Sequence, residues 1–232
     1  MRLDCHAHTR RYSACSSLAP DELCRLALER GLDAVVFTEH HHQWTRADLA
    51  RLEQAHPPLR LYAGMELSLA EQYDVVLIAP PSLLTSARLA RPGLPLAEIA
   101  RRLAPVRQQI FSFVAHPFRY SCAIPQALQH ILHWVDGMEV NSVNLLKYSH
   151  VQRQGLVAPA NWECYAQALA RTPCIALYNT DCHHPSGVGV LANELPGPPP
   201  EDEAGLVQLL RSAPIVQWQH AVGLQALLAG FQ

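Results

Sequence analysis

Along this chain, histidines and acids stand again and again at the ends of short apolar runs, and these are the residue types that hold metal ions. Leu3-Asp4-Cys5 leads into His6 and His8, and Ala34 to Thr38 leads into Glu39, His40, His41 and His42. The run from Leu59 to Met65 ends in Glu66, Ile110 to Ala115 in His116, and Val135 to Met138 in Glu139. Ile175 to Tyr178 is followed by Asp181, His183 and His184. His6 and His8 are two residues apart, and side chains at that spacing in a strand point the same way, so both imidazoles can meet one ion. Asp181 and His183 repeat the spacing near the other end of the chain. Asp4 lies on the same face as His6, where it can fix an imidazole tautomer from behind. Imidazole mixed with carboxylate suits zinc, manganese or iron rather than calcium. The groups outnumber the ligands of one tetrahedral ion, so the expectation is a cluster of two or three divalent ions. Such clusters clamp the attacking and leaving oxygens of a phosphoryl transfer and generate hydroxide at neutral pH. Any one of these residues alone reads as a capped polar group at a strand end; their repetition calls for one shared site.

The elements that must position them alternate between strand-like and helix-like. Pro20 to Arg30 has apolar residues three and four apart and stops at Gly31, as a helix does. Strand-like segments run over 33–38, 59–68, 73–79, 109–115, 136–141 and 174–178, with further helices over 45–55, 96–106, 125–134 and 161–171. Residues 80–95 read as a loop-rich insertion and 144–160 as irregular. Alternation of this kind implies parallel strands joined by crossovers. About seven strands in one domain favour a barrel, and barrels build their sites where the strands end. Residues 1–195 are therefore expected to form the barrel. The stiff Pro196-Gly197-Pro198-Pro199-Pro200 segment and one or two helices within 196–232 are expected to pack on the same domain.

Composition bounds the function. With 232 residues, 49% hydrophobic and 16% charged, the chain can bury one sizeable core. A net charge of −2 leaves no footprint for duplex nucleic acid, so duplex binding is not expected. No apolar stretch is long enough to span a bilayer, and the polar motif begins where a signal peptide would be apolar, so a cytoplasmic location without membrane attachment is the default expectation. The seven cysteines are odd in number, scattered and without a C-x-x-C pair, which suggests neither a disulfide framework nor a zinc finger.

The strings D-C-H-A-H-T, G-L-D-A-V-V-F-T-E-H, G-M-E-L-S, A-H-P, M-E-V-N and N-T-D-C-H occur in this order between residues 2 and 190. Together they resemble the PHP family, named for polymerase and histidinol phosphatase. The resemblance implies a distorted (β/α)7 TIM-like barrel, up to three metal ions (manganese, zinc or iron) and phosphoesterase activity. It implies that His6, His8, Glu66 and Asp181 hold a first ion, that Glu66 bridges to a second also met by His116, and that His40 and His183 serve a third. Glu139 and Asn141 match a motif near the rim.

Three departures stand out. Thr38-Glu39-His40 replaces the usual T-D-H, so the acid is one methylene longer. Many members carry a histidine on the strand after the bridging Glu, whereas Tyr73 to Ile78 has none, which leaves the second ion short of a ligand. In the loop after H-x-H, where the third ion usually finds a ligand, Cys15 is the soft candidate. For the phosphate, Arg10, Arg11 and Arg119 are the expected anchors, because guanidinium matches phosphate oxygens bidentately; Lys147 is a further cation near the rim. Glu39 or His183 is expected to help move the proton, and His41, His42 and His184 flank the expected ligands. The expected function is a metal-dependent phosphoesterase acting on a small phosphorylated substrate, such as a phosphate ester or a nucleotide. The alternatives are an amidohydrolase-type enzyme and a non-catalytic metal-binding module.

Overall fold

The computed structural model describes residues 1–231, Ser86 by its backbone alone. In chain order the elements are β1 (Arg2–Ala7), α1 (Pro20–Glu29), β2 (Ala34–Phe37), α2 (Arg46–Ala55), β3 (Arg60–Ser68), β4 (Asp74–Ile78), α3 (Leu83–Ser86) and α4 (Leu96–Leu103). There follow β5 (Phe111–Ala115), α5 (Gln126–Trp134), β6 (Gly137–Asn141), α6 (Val143–Leu146), β7 (His150–Arg153), β8 (Leu156–Pro159) and α7 (Trp162–Leu169). The last elements are β9 (Ile175–Tyr178), β10 (Leu191–Glu194), α8 (Glu203–Ser212), β11 (Val216–Gln219) and α9 (Ala221–Ala229).

The early strands form where sequence periodicity places them. β2 and β5 are buried at every residue and β1 and β3 at nearly every one, which is why they read as unbroken apolar runs. Helix α1 starts at Pro20, carries Asp21 and Glu22 in its first turn and buries Leu23, Cys24 and Ala27. Gly31, in the left-handed region at φ 78°, ends it. Thr45 caps α2 by accepting a hydrogen bond from the Asp48 amide.

The main sheet has the order β11-β10-β1-β2-β3-β4-β5-β6-β9. Strands β1, β2 and β3 are parallel, as are β5, β6 and β9. The expected run of parallel strands is broken at β4, which is antiparallel to both neighbours. The reason is chain length. Only residues 69–73 join β3 to β4, and a parallel crossover needs a dozen residues or more. Gly64 lets this region close up, since a Cβ there would lie 2.9 Å from the Thr38 side chain and 3.1 Å from the Leu77 carbonyl oxygen.

The sheet curls until its ends nearly meet. Asn193 of β10 spans the gap: its amide donates to the Leu3 carbonyl in β1, and its Oδ1 accepts from the Tyr178 amide in β9. The result is a mixed α/β fold with a nearly closed, barrel-like sheet. Leu3, Val36, Tyr62, Ile78, Phe111 and Leu177 come from six different strands yet share one cluster, as only a barrel interior allows. Leu206 and Leu210 of α8 join that cluster and cover the end from which the parallel strands start. Residues 196–232 therefore contribute a strand, β11, as well as helices. The segment read as irregular contains α6 and the β7–β8 hairpin. Cys122 and Cys164, 42 residues apart, form a disulfide, so the cysteine spacing was not free of pairing. Among the described residues, no helix is long and apolar enough to cross a membrane.

Candidate metal centre

The open end of the barrel gathers the carboxyl ends of β1, β2, β3, β5, β6 and β9, and nearly every expected ligand lies there. His6 ends its ring 3.0 Å from that of His8, Nε2 to Nε2, a separation at which two nitrogen lone pairs converge on one point. Glu66 Oε1 is 3.4 Å from His6 Nε2, and Glu66 Oε2 is 3.2 Å from His8 Nε2. Asp181 Oδ1 stands 3.4 Å from both imidazoles. His40 Nδ1 approaches Glu66 Oε2 to 3.0 Å, and His116 Nε2 lies 3.7 Å from both Glu66 Oε1 and Asp181 Oδ2. His183 stacks on His8 at a ring separation of 4.4 Å. His6, His8, Glu66 and Asp181 are all buried.

The backbone is turned to bring this about. His116 and Asp181 have φ of 32° and 50°, in the left-handed region that side chains other than glycine rarely adopt. Such conformations cost on the order of 1–3 kcal/mol each and persist where surrounding bonds hold them. The Asp181 amide donates to the His6 carbonyl, and the His116 amide to Glu139 Oε2.

Charge is balanced inside the cluster. Burial works against ionisation of Glu66, yet the His6 charge and the His116 and His40 imidazoles beside it hold its carboxyl well below the usual range. Asp181 is lowered in the same way, against burial, by the His6 charge and a hydrogen bond from His8. Burial pushes His8 down, but the Asp181 and Glu66 carboxylates beside it prevail and raise it to about 9. Burial and the neighbouring His8 lower His183. Glu66 Oε2 is buried and accepts no hydrogen bond, although two imidazoles stand near it. A buried carboxylate oxygen with its lone pairs unused, ringed by imidazole nitrogens, fits a divalent cation. The ligand atoms fall into three groups, each within 4.8 Å: His6, His8 and Asp181; Glu66, Asp74 and His116; and His8, His40 and His183.

Surrounding residues orient the ligands. Glu139 Oε1 is 3.1 Å from His6 Nδ1 and accepts from the Asn179 amide, so this carboxylate fixes the ring whose other nitrogen faces the cluster. Asp4, expected in that role, instead accepts from the Thr180 hydroxyl and from the backbone amides of Thr180 and His6. Asn141 donates to the Val157 carbonyl and anchors the β7–β8 hairpin. Asn144 Nδ2 donates to Asp181 Oδ2 at 2.6 Å, a contact hidden from sequence reading because α6 was not foreseen.

Glu39 differs from expectation. Its oxygens accept from the Thr9 amide and hydroxyl, the Ser13 hydroxyl and the Trp44 indole, so its lone pairs are occupied beneath the first loop rather than at the rim. The longer side chain reaches across to that loop. A cleft of about 270 Å³ over the cluster is lined by Cys15, His40, Glu66, Asp74, His116, Arg119, Asn144, Asp181 and His183. Of the three expected phosphate anchors, only Arg119 is in it. Its guanidinium packs beside Tyr120 and Tyr148, and its Nε is buried without a partner. Arg10 and Arg11 line a different depression with Asp21, Trp44 and Asp48, and Arg11 lies over Trp44. Cys15 borders the cleft but belongs to none of the three ligand groups. His42 stacks on Tyr12, and His184 accepts from the Ser186 amide; His41 and Lys147 also lie outside the cleft lining.

No family model and no curated protein matches the chain. Solved structures do. PsfC from Pseudomonas syringae PB-5123 superposes with a TM-score of 0.64 at 20% identity, over 99% of this chain and 95% of that one. A Bifidobacterium adolescentis protein assigned as a metal-dependent phosphoesterase gives 0.57 at 14%, over 81% and 88%. Endonuclease Q, bound to a 27-mer duplex with an abasic lesion at its active site, gives 0.59 at 16%, over 92% of this chain but 58% of the endonuclease. That complex overturns the exclusion of duplex nucleic acid: a protein that shares this fold over 58% of its length binds one. Net charge sums over a whole chain, whereas binding follows the local field, so a value of −2 excludes nothing. At these identities the likeness is one of fold, and that fold, a mixed α/β barrel, agrees with the barrel that the sequence resemblance implies.

Proposed function

We propose that this chain is a metal-dependent phosphoesterase, and the observation that carries the reading is the buried Glu66 carboxylate ringed by His6, His8, His40 and His116. His6, His8, Glu66 and Asp181 would hold a first ion, Glu66 and His116 a second, and His40 and His183 a third. When bound, such ions lower the pKa of water and stabilise the charge that develops on phosphoryl oxygens. The chain's own residues do the rest. Glu139 and Asn144 keep His6 and Asp181 aimed at the centre. Arg119, in the same cleft with an unused Nε–H, holds a non-reacting phosphoryl oxygen. His183 borders the cleft, and burial disfavours its charged form, as a metal ligand requires, so it serves the third ion rather than accepting the proton. Glu39 holds the first loop in place and does not itself move the proton.

The reading fixes the bond that is broken, and the substrate is any phosphate ester whose phosphoryl group reaches the cleft floor. The test is a panel assayed with manganese-, zinc- and iron-loaded protein: aryl phosphomonoesters, aryl phosphodiesters, nucleotides, a lesion-bearing duplex, and aryl amides and carboxylic esters. Metal-dependent turnover of at least one phosphoester supports the proposal. Metal-dependent turnover confined to amides or other carbon-centred substrates would replace it with the amidohydrolase reading.

A further inference from the structure

The strand after the bridging Glu has no histidine, yet the second ion's group is not short of a third donor. Because β4 runs antiparallel, its first residue rather than its last lies at the open end of the barrel. That residue is Asp74. Its register partners are Ser68, two residues past Glu66, and Ala115, one residue before His116. Single ligand atoms of Asp74, Glu66 and His116 lie within 4.8 Å of one another. Among the described residues, the Asp74 carboxylate has neither a hydrogen bond nor an ion pair, and Arg119 of the same cleft is not within ion-pair distance of it. Two carboxylates this close, one of them 1% exposed, repel unless a cation lies between them.

We propose that Asp74 is the missing ligand of the second ion and makes that site the chain's hard-cation site, one that favours Mn²⁺ relative to Zn²⁺. The inference rests on the metal-cluster reading above. The donors there are two carboxylates and one imidazole, Glu66, Asp74 and His116, whereas the third site's donors, His40 and His183, are imidazoles. Oxygen donors suit manganese, and imidazole suits zinc, so the two sites differ in preference although they are neighbours. Sequence reading could not place Asp74 there, because hydrophobic pattern does not encode strand direction and a parallel β4 would put this residue at the opposite end.

The experiment is Mn²⁺ and Zn²⁺ binding to the full chain by equilibrium dialysis with elemental analysis, for wild type, Asp74→Asn and Asp74→His. Asp74 is half-buried at a strand end, so Asp74→Asn keeps the shape and removes the charge. The expected result is that Asp74→Asn binds one Mn²⁺ fewer per chain, or binds it at least about tenfold more weakly, since even outer partners of a ligand change affinity by 10–100-fold. Asp74→His should recover Zn²⁺ at the site but not Mn²⁺. Equal Mn²⁺ stoichiometry and affinity in wild type and Asp74→Asn would overturn the assignment of Asp74 alone. Failure of the wild-type chain to bind either ion would overturn the metal-cluster reading itself, and this inference with it.

Discussion

The two ends of the barrel are built from the same strands and obey opposite rules. At the covered end, Leu3, Ile78, Phe111, Leu206 and Leu210 fill the interior with apolar side chains, and the chain start is tied down by hydrogen bonds from Met1 to Leu195 and Gly197. At the open end, buried imidazoles and carboxylates crowd together, and His41, His116 and Asp181 sit in left-handed backbone. One end lowers the free energy of the fold. The other holds charge and strain that burial alone would not favour. The cluster is thus supported from below, so substitutions at the two ends should separate activity from stability.

The largest effect should come at the open end. Glu66→Gln keeps the size of the side chain and removes the charge shared by His6, His8, His40 and His116. Loss of metal-assisted charge stabilisation is worth several kcal/mol, or about three decades in turnover at ~1.4 kcal/mol per decade. Turnover and metal content should fall together while circular dichroism shows a folded chain. Wild-type turnover would remove Glu66 from the site. At the covered end the pattern should invert. Leu210→Ala removes a fully buried side chain from the interior and should cost about 2–5 kcal/mol of stability, read by denaturant unfolding, with metal content of the folded protein unchanged.

A smaller effect separates two places on the open face. Arg119 faces the cluster cleft, so Arg119→Ala should lower kcat/KM by about ten- to a hundredfold, matching the 1.5–3 kcal/mol of a charge-assisted hydrogen bond. Metal content should stay the same, and Arg119→Lys should recover only part of the loss. Arg11 is 51% exposed in another depression, and Arg11→Ala should change kcat/KM by less than about twofold, as surface substitutions do. Equal losses at the two arginines would mean that the substrate spans both depressions.

How much of this was legible in the sequence depends on what kind of information each part needs. Strands β1, β2, β3 and β5 were readable because burial on both faces leaves a continuous apolar run. The meeting of these histidines and acids at one end of the barrel was readable because each follows such a run, and strand ends converge. Strand direction was not readable, and with it went Asp74. Strands β10 and β11 were missed because they are four residues long and carry Asn193, Gln217 and Gln219, whose polar side chains serve the barrel seam or the β7–β8 hairpin. The hydrogen-bond partners of Glu39 and Asp4 were not legible for a related reason. Their hydrogen bonds go to Thr9, Ser13, Trp44 and Thr180, and for Thr180 the contact spans 176 residues. Nothing in local spacing distinguishes a carboxylate that meets a cation from one that meets two hydroxyls.

A polynuclear metal site at the open end of the barrel, as proposed, has a direct consequence for metal content. Elemental analysis of the purified chain, after growth in medium supplemented with manganese, zinc and iron, tests it most directly. The account predicts at least two divalent ions per chain, because the ligands exceed one tetrahedral shell. Fewer than one ion per chain would contradict it.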